Sequence, residues 1–595
     1  MKLSDYVMKF IADLGVKDVF MLPGGGAMHL NDSLGGSSLH WIANLHEQAS
    51  AIAAENWAKM TGQIGVAMVT TGPGGTNAIT GVAGGWLDST PMLIVSGQVK
   101  RADLKGDSGV RIRGVQEVDI TSIVAPITKY AVTVLEPNSI RYHLEKAVYL
   151  ARSGRPGPVW IDIPLDVQAS TIDPAALTGF IAPPPPQISP DIQHAVARAL
   201  ELLDRSERPV LLLGNGVRLA GATAKFLELA ERLAVPVQPT WLAIDLIEED
   251  HPLYMGRPGA VAPRYANFTI QNADWLLAIG ARIDLVLTAF APEKLARGAK
   301  KIVVDIDPAE MAKHRPAPDV PVLADAKLFI DEMLRQTSGR KTKSFAPWLA
   351  QGRAWKEKYP FMQDEYRKPG LVSVYHLSEV ISKVSADGDL IVSGSSGAGI
   401  ETFLLAYHVR KNQRIFHTTA LGAMGFGQPA SIGACVGSGG RRTICVDGDG
   451  GFQMNAQELA TIARLKLPIK FLVLSNNGFS SIRTSQKSWF GRLIAADPSS
   501  GMTFPFASEV ARAYGITGMR IENQNHLEAD VRRVLETPGP VVCDVMTIPD
   551  ETRQPRVASV QRADGSMVSR PLEDLFPFLD RQELKSNMMI PLLED

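Results

Sequence analysis

The sequence predicts an α/β protein built as three consecutive doubly wound parallel-sheet domains, and three observations carry that expectation. Apolar, strand-like runs alternate with helical patterns in three separate stretches, as in parallel sheets covered on both faces. Two segments break the alternation, Pro183-Pro184-Pro185-Pro186 and Ser338-Gly339-Arg340-Lys341-Thr342-Lys343. Glycine-rich turns follow several predicted strands, where open α/β sheets bind ligands.

The first domain, residues 1–182, contains the strand signals Val19-Phe20-Met21, 66–70, 92–96 and 159–163, with an Ala-rich helix after Glu47. Four prolines favour an extended linker. A central domain, 190–338, follows with Val210-Leu211-Leu212-Leu213-Gly214 and strands near 275–280 and 302–305. A polar, helical connection leads to the third domain, 371–546, and a mixed, loop-like tail occupies 547–595. The chain of 595 residues is too long for one core.

Composition narrows the partners. The formal charge of -1, from 61 basic and 62 acidic residues, gives no electrostatic reason to expect nucleic acid or an anionic membrane. Small molecules and other subunits are expected instead. Cys435, Cys445 and Cys543 sit in apolar contexts and read as reduced core residues, pointing to the cytoplasm. The N-terminal amphipathic pattern, interrupted by Lys9 and Asp13, is no secretory signal, and no apolar run of about 18 residues is present for a membrane span.

The most informative pairing is Gly448-Asp449-Gly450 followed, 25 residues later, by Asn476-Asn477. Thr443-Ile444-Cys445-Val446 reads as a buried strand, 456–466 as a helix and Phe471-Leu472-Val473-Leu474 as a second strand. Both polar clusters therefore end strands that lie side by side. There an acid, a carboxamide and free backbone groups can hold a divalent metal together with a diphosphate. Mg²⁺ suits such oxygen donors.

This arrangement resembles the diphosphate and Mg²⁺ signature of thiamine diphosphate enzymes. The resemblance implies Asp449 and Asn477 as side-chain metal ligands and Phe479 as a backbone one, with Gly448, Gly450 and Gly451 beside the phosphates. Gly451 stands where relatives carry Ser or Ala. Thr70-Thr71-Gly72-Pro73-Gly74-Gly75-Thr76-Asn77, Arg155-Pro156-Gly157-Pro158 and Gly422-Ala423-Met424-Gly425 extend the match, in order, to the acetolactate synthase family. The three domains then correspond to the family's pyrimidine-binding, central and diphosphate-binding domains.

Further roles follow from that resemblance alone. Glu47, at a strand-to-helix junction, would meet N1′ of the aminopyrimidine and drive the proton transfers that ionise the thiazolium. Met424 would wedge the two coenzyme rings into a bent shape, and the carbonyl of Gly422 would accept from the 4′-amino group. Gly72, Pro73, Gly74, Asn77 and Gly397 are the remaining coenzyme candidates, and Gln116 aligns with a glutamine that enters the active site from the partner chain. In this family the coenzyme bridges two subunits, which implies a homodimer or homotetramer. The central domain resembles an FAD-binding domain through Gly214, Gly216, Thr240, Trp241, Gly280, Arg282, Asp305 and Asp325, joined by Arg155.

The match thins on the acceptor side. Leu165 replaces a lysine, Val115 an aromatic, Gln486 a tryptophan, and Leu285-Val286 an Asp-Arg pair; Ser395-Ser396-Gly397-Ala398-Gly399 lacks a Gln-His. Ser96 reads as structural, and His29 and His46 as solvated or packed. The expected activity is decarboxylation of pyruvate or another 2-oxo acid and transfer of the two-carbon unit to a 2-oxo acid, giving acetolactate. An aldehyde, ketone or nucleotide-linked keto-sugar acceptor, simple decarboxylation, and a silent coenzyme-binding homologue are the alternatives.

Overall fold

The protein is described from a computed structural model covering residues 1–341, 343–394, 401–561, 565 and 567–593. Its first sheet contains β1 (Asp18–Met21), β2 (His40–Ala43), β3 (Gly65–Val69), β4 (Met92–Gln98), β5 (Tyr130–Thr133) and β6 (Pro158–Pro164) in the order β2-β1-β3-β4-β6-β5. The central sheet runs β11-β10-β9-β7-β8, from β7 (Pro209–Leu213), β8 (Val237–Pro239), β9 (Trp275–Ile279), β10 (Lys300–Asp305) and β11 (Val320–Leu323). The third comprises β12 (Leu390–Ser393), β13 (Arg414–Phe416), β14 (Thr443–Gly448), β15 (Ile469–Ser475), β16 (Thr517–Ile521) and β17 (Val541–Met546), ordered β13-β12-β14-β15-β17-β16. All pairings within the three sheets are parallel. Counted from its own first strand, the third sheet repeats the topology of the first.

The first and third units share one hydrophobic core. Helix Glu47–Thr61 is lined with small residues, Ala49, Ala51, Ala53, Ala54 and Ala58, all buried. Such a helix is buried on most sides because it packs between other elements. One neighbour is helix Pro73–Leu87, where a Cβ on Gly81 would lie 2.5 Å from the Ala51 Cβ. The other is helix Gly427–Gly437, where a Cβ on Gly433 would lie 2.0 Å from the Ala53 carbonyl oxygen. Phe426, Ile432 and Cys435 thus join Ile52, Trp57 and Val82 in a single cluster.

A buried ionic clasp ties all three units. Asp245 accepts from Arg218, from Arg414 Nε at 2.9 Å and from the Ile415 N–H at 3.0 Å, while Arg414 Nη2 reaches the Lys59 carbonyl at 2.8 Å. Burial alone would raise the Asp245 carboxyl, but the two guanidinium charges outweigh it and hold the group at about 2.

Two segments outside the three sheets pack against the central unit. The polar connection after residue 343 forms helix Ala346–Lys358, whose Trp348 and Trp355 are buried against Tyr265 and Phe268. The tail is largely irregular, with short strands and helix Arg581–Asn587, yet it folds back onto the central unit. Its Leu572 enters the core beside Leu276, Ala281 and Leu287, and Leu584 joins the tryptophan cluster. Glu573 is fully buried, pairing with Arg297 at 2.7 Å and accepting from Gln271 Nε2 at 2.6 Å. Glu573→Ala would strand the Arg297 guanidinium, so unfolding in urea is expected to show a loss of about 3–5 kcal/mol.

Asp162 on β6 is fully buried and accepts from Ser96 Oγ at 2.6 Å, Gln98 Nε2 at 3.1 Å and Thr133 Oγ1 at 3.0 Å. Burial pushes its carboxyl up to about 7, with the three donors pulling part of the way back. This folded-state value lies above that of an unfolded Asp, about 3.9. The contribution to stability is therefore full below pH 3.9 and lost as pH rises through 7. In Asp162→Asn this titration is gone, so melting temperatures from about pH 5 to about pH 8 should decline less than in the parent.

The three cysteines are free and buried. Among the described residues, no helix is long and apolar enough to cross a membrane.

Candidate active site

The residues expected to hold metal and diphosphate meet where β14 and β15 end. Strand β14 ends at Gly448 and Asp449 opens a short helix, Asp449–Gln453. The Asp449 side chain is mostly buried and already oriented. Oδ1 accepts from the Gly450 N–H at 2.8 Å, and Oδ2 from the N–H groups of Asn476 at 3.1 Å and Gly478 at 3.2 Å. Burial still leaves the carboxyl above its ordinary range, a balance that a bound cation would reverse.

Asn477 is exposed beside it, held at φ 61°, a left-handed conformation that Asn tolerates better than most residues. The buried Asn476 Oδ1 finds no donor among the described residues. The Phe479 carbonyl accepts the Arg483 N–H at 2.8 Å, leaving its second lone pair for a ligand. Among the described residues, no group of three or more His, Cys, Asp or Glu side chains could hold a metal. A cation here would depend on mixed carboxylate, carboxamide and carbonyl oxygens.

Gly450 also has a local packing reason. A Cβ on Gly450 would lie 2.4 Å from the Phe479 ring and 3.0 Å from Phe504, so close aromatic packing requires glycine there. Gly451 lies in the same short helix and is buried.

Arg483, which the sequence did not single out, braces the turn. It is buried, bonds the carbonyls of Asn476, Asn477 and Pro549 at 3.2, 3.3 and 2.6 Å, and pairs with Asp550 at 2.8 Å. Nothing in the local sequence separates it from an ordinary helical arginine.

On the other side, β2 turns into helix Glu47–Thr61 with Glu47 as its first residue. His46 Nδ1 caps the helix by accepting from the Gln48 N–H at 3.1 Å. Glu47 is 6% exposed and accepts from Asn77 Nδ2 at 3.0 Å. A Cβ on Gly74 would sit 3.6 Å from Glu47 Oε1, so the loop before helix Pro73–Leu87 faces this carboxylate. Gly72 (φ 65°) caps that helix, and a Cβ on it would lie 2.3 Å from the Gln116 carbonyl oxygen.

The structure thus brings Gly72, Pro73, Gly74, Asn77, Glu47 and the Gln116 loop together within one chain. Gln116 itself is exposed at φ 64°. Its loop is held by Glu117, whose carboxylate accepts from the N–H groups of Lys105, Arg113 and Gly114. On the loop after β13, Gly422 (φ 67°) has open space at its Cβ position, and Met424 is 38% exposed. Gly397 and the rest of the 395–399 segment lie outside the described residues.

Most residues expected to bind a dinucleotide line one cavity of about 910 Å³ between the units: Arg155, Gly216, Thr240, Trp241, Gly280, Arg282, Asp305 and Asp325. Pro183 to Pro186 supply part of its wall. Gly214 lies behind the lining. A Cβ on it would be 2.0 Å from the Gly280 carbonyl oxygen, and one on Gly216 would be 2.7 Å from the Gly280 Cα, so these glycines let two loops cross. Arg155 is engaged with Asp307 at 2.9 Å, Glu310 at 2.8 Å and Ser89 Oγ at 2.8 Å. Arg282 pairs with Asp284 at 3.3 Å, and Asp325 caps helix Ala326–Thr337 through the Lys327 N–H.

Three family models match the chain in order. The thiamine pyrophosphate enzyme N-terminal TPP binding domain covers residues 1–123, the central domain 196–333 and the C-terminal TPP binding domain 397–545. Fold, site and this succession define a thiamine pyrophosphate enzyme.

Among similar proteins, the acetolactate synthase large subunit of Parasynechococcus marenigrum (strain WH8102) is 34% identical over 578 residues, covering 94% of this chain and 89% of that one. The acetolactate synthase of Arthrospira platensis is 34% identical over 565 residues, 91% and 94% of the two chains. A probable acetolactate synthase large subunit of Methanocaldococcus jannaschii is 33% identical over 567 residues, 93% of each. The chain belongs to the acetolactate synthase family.

Proposed function

We propose that the protein is a thiamine diphosphate- and Mg²⁺-dependent carboligase that decarboxylates pyruvate or a related 2-oxo acid and joins the remaining two-carbon unit to a carbonyl acceptor. The observation that carries the reading is a buried glutamate and a preoriented aspartate at strand ends of two sheets with the same topology. The acceptor favoured by the names of the relatives is a second 2-oxo acid, giving acetolactate.

The Asp449 carboxylate, the Asn477 carboxamide and the Phe479 carbonyl are the groups that would hold Mg²⁺ and the diphosphate. Fit is supported by the partnerless Asn476 Oδ1 and by the lone pair left open on Asp449 Oδ1. Thiamine diphosphate would supply, when bound, a carbon nucleophile that also accepts the electron pair released with CO₂. Glu47 would hold and move a proton at the aminopyrimidine N1′, with Asn77 fixing its Oε2. Met424 would pack between the coenzyme rings, and Gln116 would face the reacting carbonyl. The coenzyme is read as bridging two chains, so the working form is a homodimer or homotetramer.

Flavin binding is supported by the size of the central cavity, within the usual range for ligand sites, and by Asp305 and Asp325 at its rim. Arg155, already neutralised by two carboxylates, is read as closing this site rather than pairing with phosphate. An absorption spectrum of the purified protein near the flavin bands tests this. The units are taken as 1–182, 190–338 and 371–546, with a tail at 547–595. Three buried thiols suit the cytoplasm.

One observation favours a second acceptor class, an aldehyde, ketone or nucleotide-linked keto sugar. Gln486 uses both ends of its carboxamide on the Ile494 backbone, at 3.1 and 2.8 Å, leaving Trp489, Phe490 and Ile494 exposed. Product analysis from pyruvate, alone and with each candidate acceptor, separates the two. Free acetaldehyde as the sole product under every condition would sink carboligation and leave simple decarboxylation.

A further inference from the structure

We propose that Glu458 is a positioning residue for Glu47; this rests on the role of Glu47 proposed above.

Glu458 belongs to the third unit, yet its fully buried carboxylate is spent on the first. Oε2 accepts from Asn44 Nδ2 at 2.9 Å and Oε1 from the Leu45 N–H at 2.8 Å. The neighbouring Thr461 donates to the Ala43 carbonyl at 3.0 Å and to Glu458 Oε2 at 3.2 Å. Asn44 Oδ1 in turn accepts from Ser50 at 3.3 Å, on the helix that Glu47 opens. Residues 43–45 therefore enter the turn held by another unit, and Glu47 follows two positions later. The bonds to the Glu458 carboxylate are charge-assisted and shielded from water, which makes their geometry stiff.

The same segment grips two other candidate groups. Asn455, also fully buried, donates to the Gly425 carbonyl at 2.6 Å, next to Met424. A Cβ on Gly425 would lie 2.8 Å from Asn455 Nδ2, so that contact admits only glycine. Gln457 Nε2 donates to Asn455 Oδ1 at 2.9 Å and fixes which end of the amide faces Gly425. Asp449 begins the segment and organises Asn476 and Gly478. Ten residues thus touch the aspartate turn, the methionine loop and the glutamate turn. A misplacement of Glu47 by about 1 Å can cost roughly 100-fold in rate.

Glu458→Gln keeps the size of the side chain but turns one acceptor into a donor facing donors. Two measurements on the full-length chain test the role. In coenzyme-free protein, amide hydrogen exchange across residues 43–48 should quicken by about tenfold or more, while β4 stays unchanged. In the loaded protein, thiamine diphosphate affinity should stay within roughly threefold of the parent. The exchange rate of the coenzyme C2 proton should fall by about tenfold or more.

Unchanged amide exchange at 43–48 would overturn the proposal, as would unchanged C2-proton exchange. Parallel losses of affinity, C2-proton exchange and protection throughout the chain would also overturn it, because they mark a merely structural contact. A parent protein that takes up no thiamine diphosphate would remove the role of Glu47 and this proposal with it. The amide-exchange contrast would then persist alone, which tells the two failures apart.

Discussion

Glu47→Gln is expected to lower turnover by about 10²–10⁴-fold, the range over which a positioned acid–base group contributes. The substitution is nearly isosteric, and Asn77 can still bond the remaining oxygen. The turn holding residue 47 is fixed by Asn44 and Leu45 rather than by its own side chain, so the fold should be retained. Coenzyme and Mg²⁺ binding, set at the far end of the site, should change little by calorimetric titration. Steady-state decarboxylation of pyruvate measures the loss, and undiminished turnover would remove Glu47 from the mechanism.

Asp449→Ala should act on the opposite term. It removes the anionic oxygen expected to meet Mg²⁺ and frees the N–H groups of Asn476 and Gly478 from their acceptor. Each buried donor left without a partner costs about 1–3 kcal/mol, so the turn carrying Asn477 should lose its preset shape as well. Affinity for thiamine diphosphate with Mg²⁺ is expected to fall by about 100-fold or more, since about 1.4 kcal/mol is tenfold. The readout is the melting temperature gained on adding both, which follows mass action in the parent and should vanish in the variant. An undiminished gain would place the metal elsewhere.

Part of this site is legible in the chain because it is local. Asp449 and Asn476-Asn477 end neighbouring strands whose apolar runs are read directly, and one helix between them fixes the spacing. The position of Glu47 after β2 is read the same way, but its role comes only through the family resemblance. The braces are another matter. Glu458 and Asn44 are 414 residues apart, and a single long-range bond leaves no periodicity.

Glutamate at the start of a helix also has an ordinary explanation in the helix dipole, which hides Glu458 as effectively as distance does. Gly450 carries a reason the sequence does not show: besides the phosphate role its context suggests, its lack of a side chain accommodates Phe479. The tail fails for a simpler reason. Leu572 and Leu584 stand directly beside the charged residues Glu573 and Lys585, and only the partner surface makes them core.

That returning tail also bears on how the molecule is made. The central unit cannot complete its interior until Leu572, Glu573 and Leu584 have been synthesised. Those residues emerge from the ribosome more than 200 positions after the unit's last strand, Val320–Leu323, a delay of roughly 10–50 s at bacterial or eukaryotic elongation speeds. The nascent central region must therefore wait with Leu276, Ala281 and Leu287 incompletely covered until those residues follow.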